Sequence, residues 1–179
     1  MRSQVFVAAS VWVVVGLVGQ PSYAQQVTKD QVAGIRNLAR LETTIACAGA
    51  ITPASVPEIK KMGFASIINL RLADEPGADI EQEAAAASDA GIRYFHVPFN
   101  GSPDPEAAGR FLDVITSEGA QPAFVHCAGG NRAATMWLIK RLAVDHWDVE
   151  RATAEAIALG QTSADQRRFA IEYGQSHRR

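Results

Sequence analysis

Cysteine is scarce in this chain: two thiols, Cys47 and Cys127, in 179 residues. Four histidines are scattered without ligand spacing, so no metal site and no cofactor are expected. Charge of one sign is also lacking. The formal net charge of −2 at pH 7 gives no global pull toward nucleic acid or an anionic membrane. There is no internal repeat and no low-complexity linker beyond the Gln25-Gln26 junction. Past Val18 no run is long and apolar enough for a bilayer, which takes about 20 residues.

The single long apolar run stands at the start. A short basic opening, Met1-Arg2-Ser3-Gln4, precedes the uncharged run Val5 to Val18 and a small-residue stretch ending Ser22-Tyr23-Ala24. This is the pattern of a secretory signal peptide cut after Ala24; the competing reading, an uncleaved anchor, has too short a span. The expected organisation is a signal peptide at 1–24, an N-terminal arm at 25–42 and one domain at 43–179. The expected location is secreted or periplasmic.

What the chain does have converges on Pro122 to Ile139. Pro122 to Val125 reads as a short buried strand. His126-Cys127 follows, then Ala128-Gly129-Gly130-Asn131-Arg132, then an apolar helical stretch from Ala133 to about Val144. A cysteine at a strand end, facing a helix N-terminus and an arginine, is set for thiolate chemistry. Gly129 and Gly130 permit positive φ, so successive N–H groups can turn inward on a tetrahedral oxyanion. Arg132 adds a bidentate fork. The bland reading of Cys127 is a buried small hydrophobe. The bland reading of Arg132, a solvated residue at a helix N-terminus, puts positive charge where it is least welcome without an anion.

The rest alternates strands and helices. Val27 to Leu41 has apolar residues at helical spacing (Val32, Ile35, Leu38) and reads as a short helix or arm. Thr43 to Ala48, Phe64 to Leu70 and Ile92 to Phe99 read as strands, the second covered on both faces. Thr52 before Pro53 and Asp104 before Pro105 are N-cap signals. Helices are expected at Val56 to Met62, Asp79 to Ala90, after Pro105, at Asp148 to Leu159 and at Ser163 to Tyr173. The fold class is therefore α/β, a single domain with a mostly parallel sheet flanked by helices. Sites in such sheets lie at the carboxyl ends of strands, where Cys127, Arg71 and the Asn100 to Asp104 loop converge.

The loop His126-Cys127-Ala128-Gly129-Gly130-Asn131-Arg132 resembles the signature loop of cysteine-dependent phosphatases of the tyrosine and dual-specificity type. Those families usually carry five residues between cysteine and arginine, and many have Ser or Thr after the arginine. Here four residues intervene and Ala133 follows. A four-residue gap is typical of rhodanese-type sulfurtransferases. It also occurs in the phosphatase-like domain of the bacterial beta-lactamase-hydrolase-like family, which this chain resembles from roughly Ile45 to Val144. The shared pattern comprises Gly49-Ala-Ile-Thr52, Ile67-Ile-Asn-Leu-Arg71, the acidic helix Glu81 to Ala90 and Tyr94-Phe-His-Val-Pro98.

The resemblance implies a dual-specificity-phosphatase-like fold and a secreted phosphatase acting on a phosphorylated substrate without metal. Cys127 would form a phosphocysteine. Ala128, Gly129, Gly130, Asn131 and Arg132 would hold the phosphate, and Arg71 would help. Asp104 would be the general acid, with Asp74 and Glu75 in reserve; the other role of Asp104 is helix N-cap. His126 would orient the loop, and Asn131 reads as structural and able to accept positive φ. Two further readings stand beside this one: a sulfurtransferase using the same thiolate, and a non-catalytic anion- or partner-binding module. In an exported protein the two cysteines invite a redox disulfide, Cys47–Cys127, the alternative being a buried free thiol at Cys47.

Overall fold

The computed structural model describes residues 26–179, apart from Thr43. The signal peptide expected at 1–24 lies outside the described residues. Six strands form one sheet: β1 Val27–Val32, β2 Ile35–Leu41, β3 Ile45–Ala48, β4 Ser66–Asn69, β5 Arg93–His96 and β6 Ala123–His126. Their order across the sheet is β1-β2-β3-β6-β4-β5. The run β3, β6, β4, β5 is parallel, and β1 and β2 join it antiparallel. The helices are α1 Val56–Lys61, entered through a 3-10 turn at Pro53–Ser55, α2 Ile80–Asp89, α3 Pro105–Ile115, α4 Asn131–Ala143, α5 Val149–Ala158 and α6 Ala164–Ser176. Among the described residues no helix is long and apolar enough to cross a membrane.

The expected helix or arm over Val27 to Leu41 is instead the β1–β2 hairpin. Gly34, at φ 77°, makes the turn, and Asn37, at φ 49°, breaks the strand period with a left-handed residue. A register shift between Asp30 and Val32 does the same on β1. These two irregularities put apolar residues out of strict alternation, which is why their spacing imitates a helix.

Each residue of the parallel strands β3, β4 and β6 is buried on one face or the other. Continuous apolar sequence is what such a strand requires. Alternate residues separate two cores. Ile45, Cys47, Ile68, Ala123, Val125 and Cys127 face α3 to α6, whereas Ala46, Ala48, Ile67 and Phe124 face α1 and α2. On the second face Phe124 meets Phe64 edge-on, with ring centroids 5.6 Å apart. On the first, α3 buries Phe111, Leu112 and Ile115 completely, each worth about 1.5–3 kcal/mol of transfer free energy. Helix α4 is buried from Ala133 to Ala143. Even its Lys140 and Arg141 are covered, paired with Asp145 and Glu155. The central helix is thus fixed on every side, and its N-terminus is held directly beyond the end of β6.

Candidate active site

Cys127 follows β6 immediately and is 1% exposed. Its Sγ accepts a hydrogen bond from the Gly130 amide at 3.1 Å. That contact needs the loop to fold back on itself, and Gly130 does so at φ 103°, a conformation costly for other residues. Gly129 was expected to share the positive φ and does not; a side chain there would meet open space. The loop carbonyls are pinned by neighbours. Ala128 O accepts from the Ala50 amide at 3.1 Å, Gly129 O from Asn37 Nδ2 at 3.0 Å, and Gly130 O from the Ala134 amide at 3.1 Å. The amides of Ala128, Gly129, Asn131 and Arg132 meet no acceptor among the described residues. Donors without a partner around a sulfur, at the positive end of a helix, form an anion cradle.

Arg132 is the second half of the site. Its Nη1 and Nη2 form a two-pronged pair with Glu75 Oε1 and Oε2 at 2.6 and 2.8 Å. Nη1 also donates to the carbonyls of Phe99 at 2.7 Å and Leu70 at 3.3 Å. Five N–H groups are available, so Nε–H and one Nη2–H remain, on one edge of the guanidinium. Two parallel donors on that edge match two oxygens of a tetrahedral anion. Burial works against the charge of Arg132, but the Glu75 carboxylate and the Cys127 sulfur outweigh it and stabilise the guanidinium.

Glu75 therefore has a role that the sequence reading missed. It was held in reserve as a general acid, yet the Arg132 hydrogen bonds bring its pKa down to about 2, against burial and with help from the Leu72 amide and Arg71. A group ionised throughout the neutral range cannot hand a proton to a leaving oxygen. Arg71 also departs from its expected place. Its guanidinium donates to the carbonyls of Gly77 and Pro76, both at 2.7 Å, and reaches Glu75 at 3.3 Å. It is 3% exposed and clamps the loop that carries Glu75, so it holds the anion site only through Glu75 and Arg132. Asp104 caps α3, with Oδ1 accepting from the Ala107 amide at 2.9 Å, and does not line the cleft. Asn131 has ordinary helical backbone. Its side chain ties the loop to the α5–α6 turn, donating to Gln166 at 2.6 Å and accepting from Thr162 and Ser163.

The cleft above Cys127 measures about 480 Å³ and is lined by Leu72, Glu75, Asn100, Cys127, Gly129, Asn131, Arg132 and Gln166. Glu75 is the one carboxylate among these. Gln166 was invisible as a site residue because nothing local distinguishes it from other polar residues of α6. Behind the sheet, His126 is fully buried, with Nε2 3.2 Å from Glu83 Oε2. Cys47 and Cys127 are both free thiols on the same face of neighbouring strands. Burial pushes the Cys47 thiol up, and the charges of Cys127 and Glu155 add to it, so Cys47 stays protonated. No group of three or more His, Cys, Asp or Glu among the described residues is placed to hold a metal.

Comparison with known proteins bears on this arrangement. The core catalytic domain of the S. cerevisiae PP-IP phosphatase SIW14 superposes with a TM-score of 0.61 at 17% identity, covering 80% of this chain and 88% of that one. P. aeruginosa TpbA superposes with a TM-score of 0.62 at 21% identity, over 88% and 92% of the two chains. At such identities the likeness is one of fold. Among curated sequences, a beta-lactamase hydrolase-like protein of Agrobacterium fabrum is 36% identical over 102 residues, 56% of this chain. One of Xylella fastidiosa is 38% identical over 88 residues. This chain spans only 24% and 20% of the lengths of those two relatives. The family model of the phosphatase-like domain of the beta-lactamase hydrolase-like protein matches residues 37–144, the stretch that contains β3 to β6, the cysteine loop, Glu75 and Arg132. The chain belongs to that family.

Proposed function

We propose that this protein is an exported, metal-independent phosphatase that cleaves phosphate monoesters through a phosphocysteine. The observation that carries this reading is Cys127 Sγ, bonded by the Gly130 amide, in one cleft with unpartnered loop amides and with an Arg132 that Glu75 holds by its other edge. Cys127 attacks phosphorus as the thiolate, an S–P bond forms, and the P–O bond breaks with its electron pair leaving on oxygen, so that an aryl ester departs as the phenolate without a proton from the protein. The amides of Ala128 to Arg132 and the free edge of Arg132 stabilise the equatorial oxygens in the transition state. Glu75, locked on the other edge, keeps that guanidinium in one orientation. Water then attacks phosphorus, the S–P bond breaks, and phosphate leaves. A variant of the structurally similar TpbA was crystallised with phosphotyrosine, which makes an aryl phosphate the first substrate to try.

A second reading, sulfur transfer, is favoured by two observations. The gap from Cys127 to Arg132 is four residues. The one carboxylate lining the cleft is held ionised by Arg132. In sulfur transfer the thiolate takes the outer sulfur of a thiosulfate-like donor, and sulfite departs as an anion without needing a proton. The test is a paired assay on reduced protein lacking residues 1–24. One arm measures phosphate release from an aryl phosphate, the other thiosulfate-to-cyanide sulfur transfer, with Cys127→Ser as control in each. Cysteine-dependent phosphate release supports the first reading. Sulfur transfer alone replaces it with the second. Anion binding without turnover in either arm leaves a binding module.

A further inference from the structure

One carbonyl of the cysteine loop is held by a side chain that the chemistry above does not use. Asn37 lies in β2, and its Nδ2 donates to Gly129 O at 3.0 Å. A bulge in the hairpin places it there. Asp30 pairs with Leu38 and Val32 with Ile35, so Arg36 and Asn37 of β2 together oppose Gln31 of β1. A bulge bends its strand and re-aims the side chains it carries. The bulged backbone is also drawn toward the loop after β3. The Arg36 amide donates to Ala50 O at 3.0 Å, and Arg36 O accepts from the Gly49 amide at 2.7 Å. Asn37 takes a left-handed backbone, φ 49°, without being a glycine. Asparagine is one of the few residues that accept this conformation, and its amide is the donor a carbonyl needs. A disfavoured backbone that aims a side chain at another loop points to a use for the contact.

We propose that Asn37 is a positioning residue of the anion cradle: by holding the Gly129 carbonyl outward, it turns the N–H of the same peptide, that of Gly130, inward onto Cys127 Sγ. The proposal rests on this loop binding an oxyanion, which both catalytic readings above require. A trans peptide is planar, so its C=O and N–H point in opposite directions, and fixing one fixes the other. The contacts agree at both ends. Asn37 Nδ2 is 3.0 Å from the Gly129 oxygen, and Cys127 Sγ is 3.1 Å from the Gly130 nitrogen. The preceding peptide obeys the same rule, since the Ala50 amide holds Ala128 O at 3.1 Å and leaves the Gly129 N–H facing the other way. The peptide that Asn37 holds is the one with the least resistance to rotation. Both its residues are glycines, and a Cβ on Gly129 would meet nothing within 4 Å. Rotated, it would put an oxygen where the cradle has a donor, and that oxygen would repel both a thiolate and a bound oxyanion.

Two substitutions separate the donor from the backbone. Asn37→Gly keeps the left-handed conformation and removes the amide. Asn37→Asp keeps the shape and puts a carboxylate oxygen, which only accepts, in place of the donor. Amide hydrogen exchange of the reduced protein, read by NMR, should show Gly130 exchanging at least about tenfold faster in both variants, with Phe124 and Val125 of β6 at wild-type rates. An unchanged Gly130 rate overturns the proposal. Equal acceleration of the β6 amides marks a merely structural role and overturns it too. Inorganic phosphate supplies the second readout. It should protect wild-type Cys127 from alkylation by iodoacetamide, and the concentration giving half-protection should rise about tenfold in both variants. Half-protection at the wild-type concentration would show that the direction of this peptide does not matter to the anion, which sinks the idea. The melting temperature of Asn37→Gly should stay near that of the wild type, because glycine adopts this φ without strain. Phosphate that fails to protect even the wild type removes the cradle and this inference with it. Protection without turnover in either arm of the paired assay refutes the proposed function and leaves the role of Asn37 standing.

Discussion

His126 and Cys127 are consecutive, and the pleat of β6 sends them to opposite sides of one sheet. On the Cys127 side, a cleft opens, donors are left unpaired and the arginine keeps one edge free. On the His126 side, everything is sealed and the polar groups face one another. The two sides show the same strand end put to two uses. One presents unpaired donors to a ligand, and the other packs polar groups against one another where water cannot reach them.

The contrast can be broken residue by residue. Cys127→Ser should abolish turnover in whichever arm of the paired assay is active, by at least about a thousandfold, because the hydroxyl is a far weaker nucleophile. Its melting temperature should stay near wild type. Arg132→Lys keeps the charge but loses the fork, and kcat/KM should drop about a hundredfold. Crossing to the sealed side, Glu83→Ala should destabilise the fold by about 3–5 kcal/mol in urea unfolding, since it strands a buried partner. That side should fail as structure first, the open side as chemistry first.

Glu75→Gln sharpens the comparison through pH. The folded pKa of Glu75 is depressed from 4.5 to about 2. Its contribution is therefore fully present above about pH 4.5 and is lost as pH falls through about 2. The melting-temperature gap between wild type and Glu75→Gln should be constant from neutral pH down to about 5 and should close below that. Smallest of all, Cys47→Ala removes a buried sulfur that touches no ligand. Activity should stay within about twofold and stability within about 2 kcal/mol. A loss of resistance to peroxide in that variant would reveal a protective Cys47–Cys127 bridge.

Most of the parallel core was legible in the sequence because burial on both faces leaves one pattern, a short apolar run between turn residues. Asp104 announced its helix by capping it, whereas Thr52 marked a helix start at Pro53 without making a side-chain cap bond. The hairpin was not legible, since Asn37 and the β1 irregularity scramble its alternation. Within the site, Cys127 and Arg132 could be read from spacing, a local property. Glu75 and Gln166 could not, because their meaning comes from what the fold brings beside them. Arg71 shows the reverse case: an arginine at a strand end looks like an anion ligand until its guanidinium is found donating to Pro76, Gly77 and Glu75.

Asn37, whose side chain holds the Gly129 carbonyl, sits where the family match begins, inside β2. A truncation at that boundary would delete β1, cut β2 between Arg36 and Asn37 and remove the Asp30 partner of Arg40. The remnant of β2 would become an unpaired sheet edge, prone to pairing with other copies. Anyone trimming this protein to its recognisable domain would produce a sticky molecule with a loosened cysteine loop. The working unit begins no later than Val27.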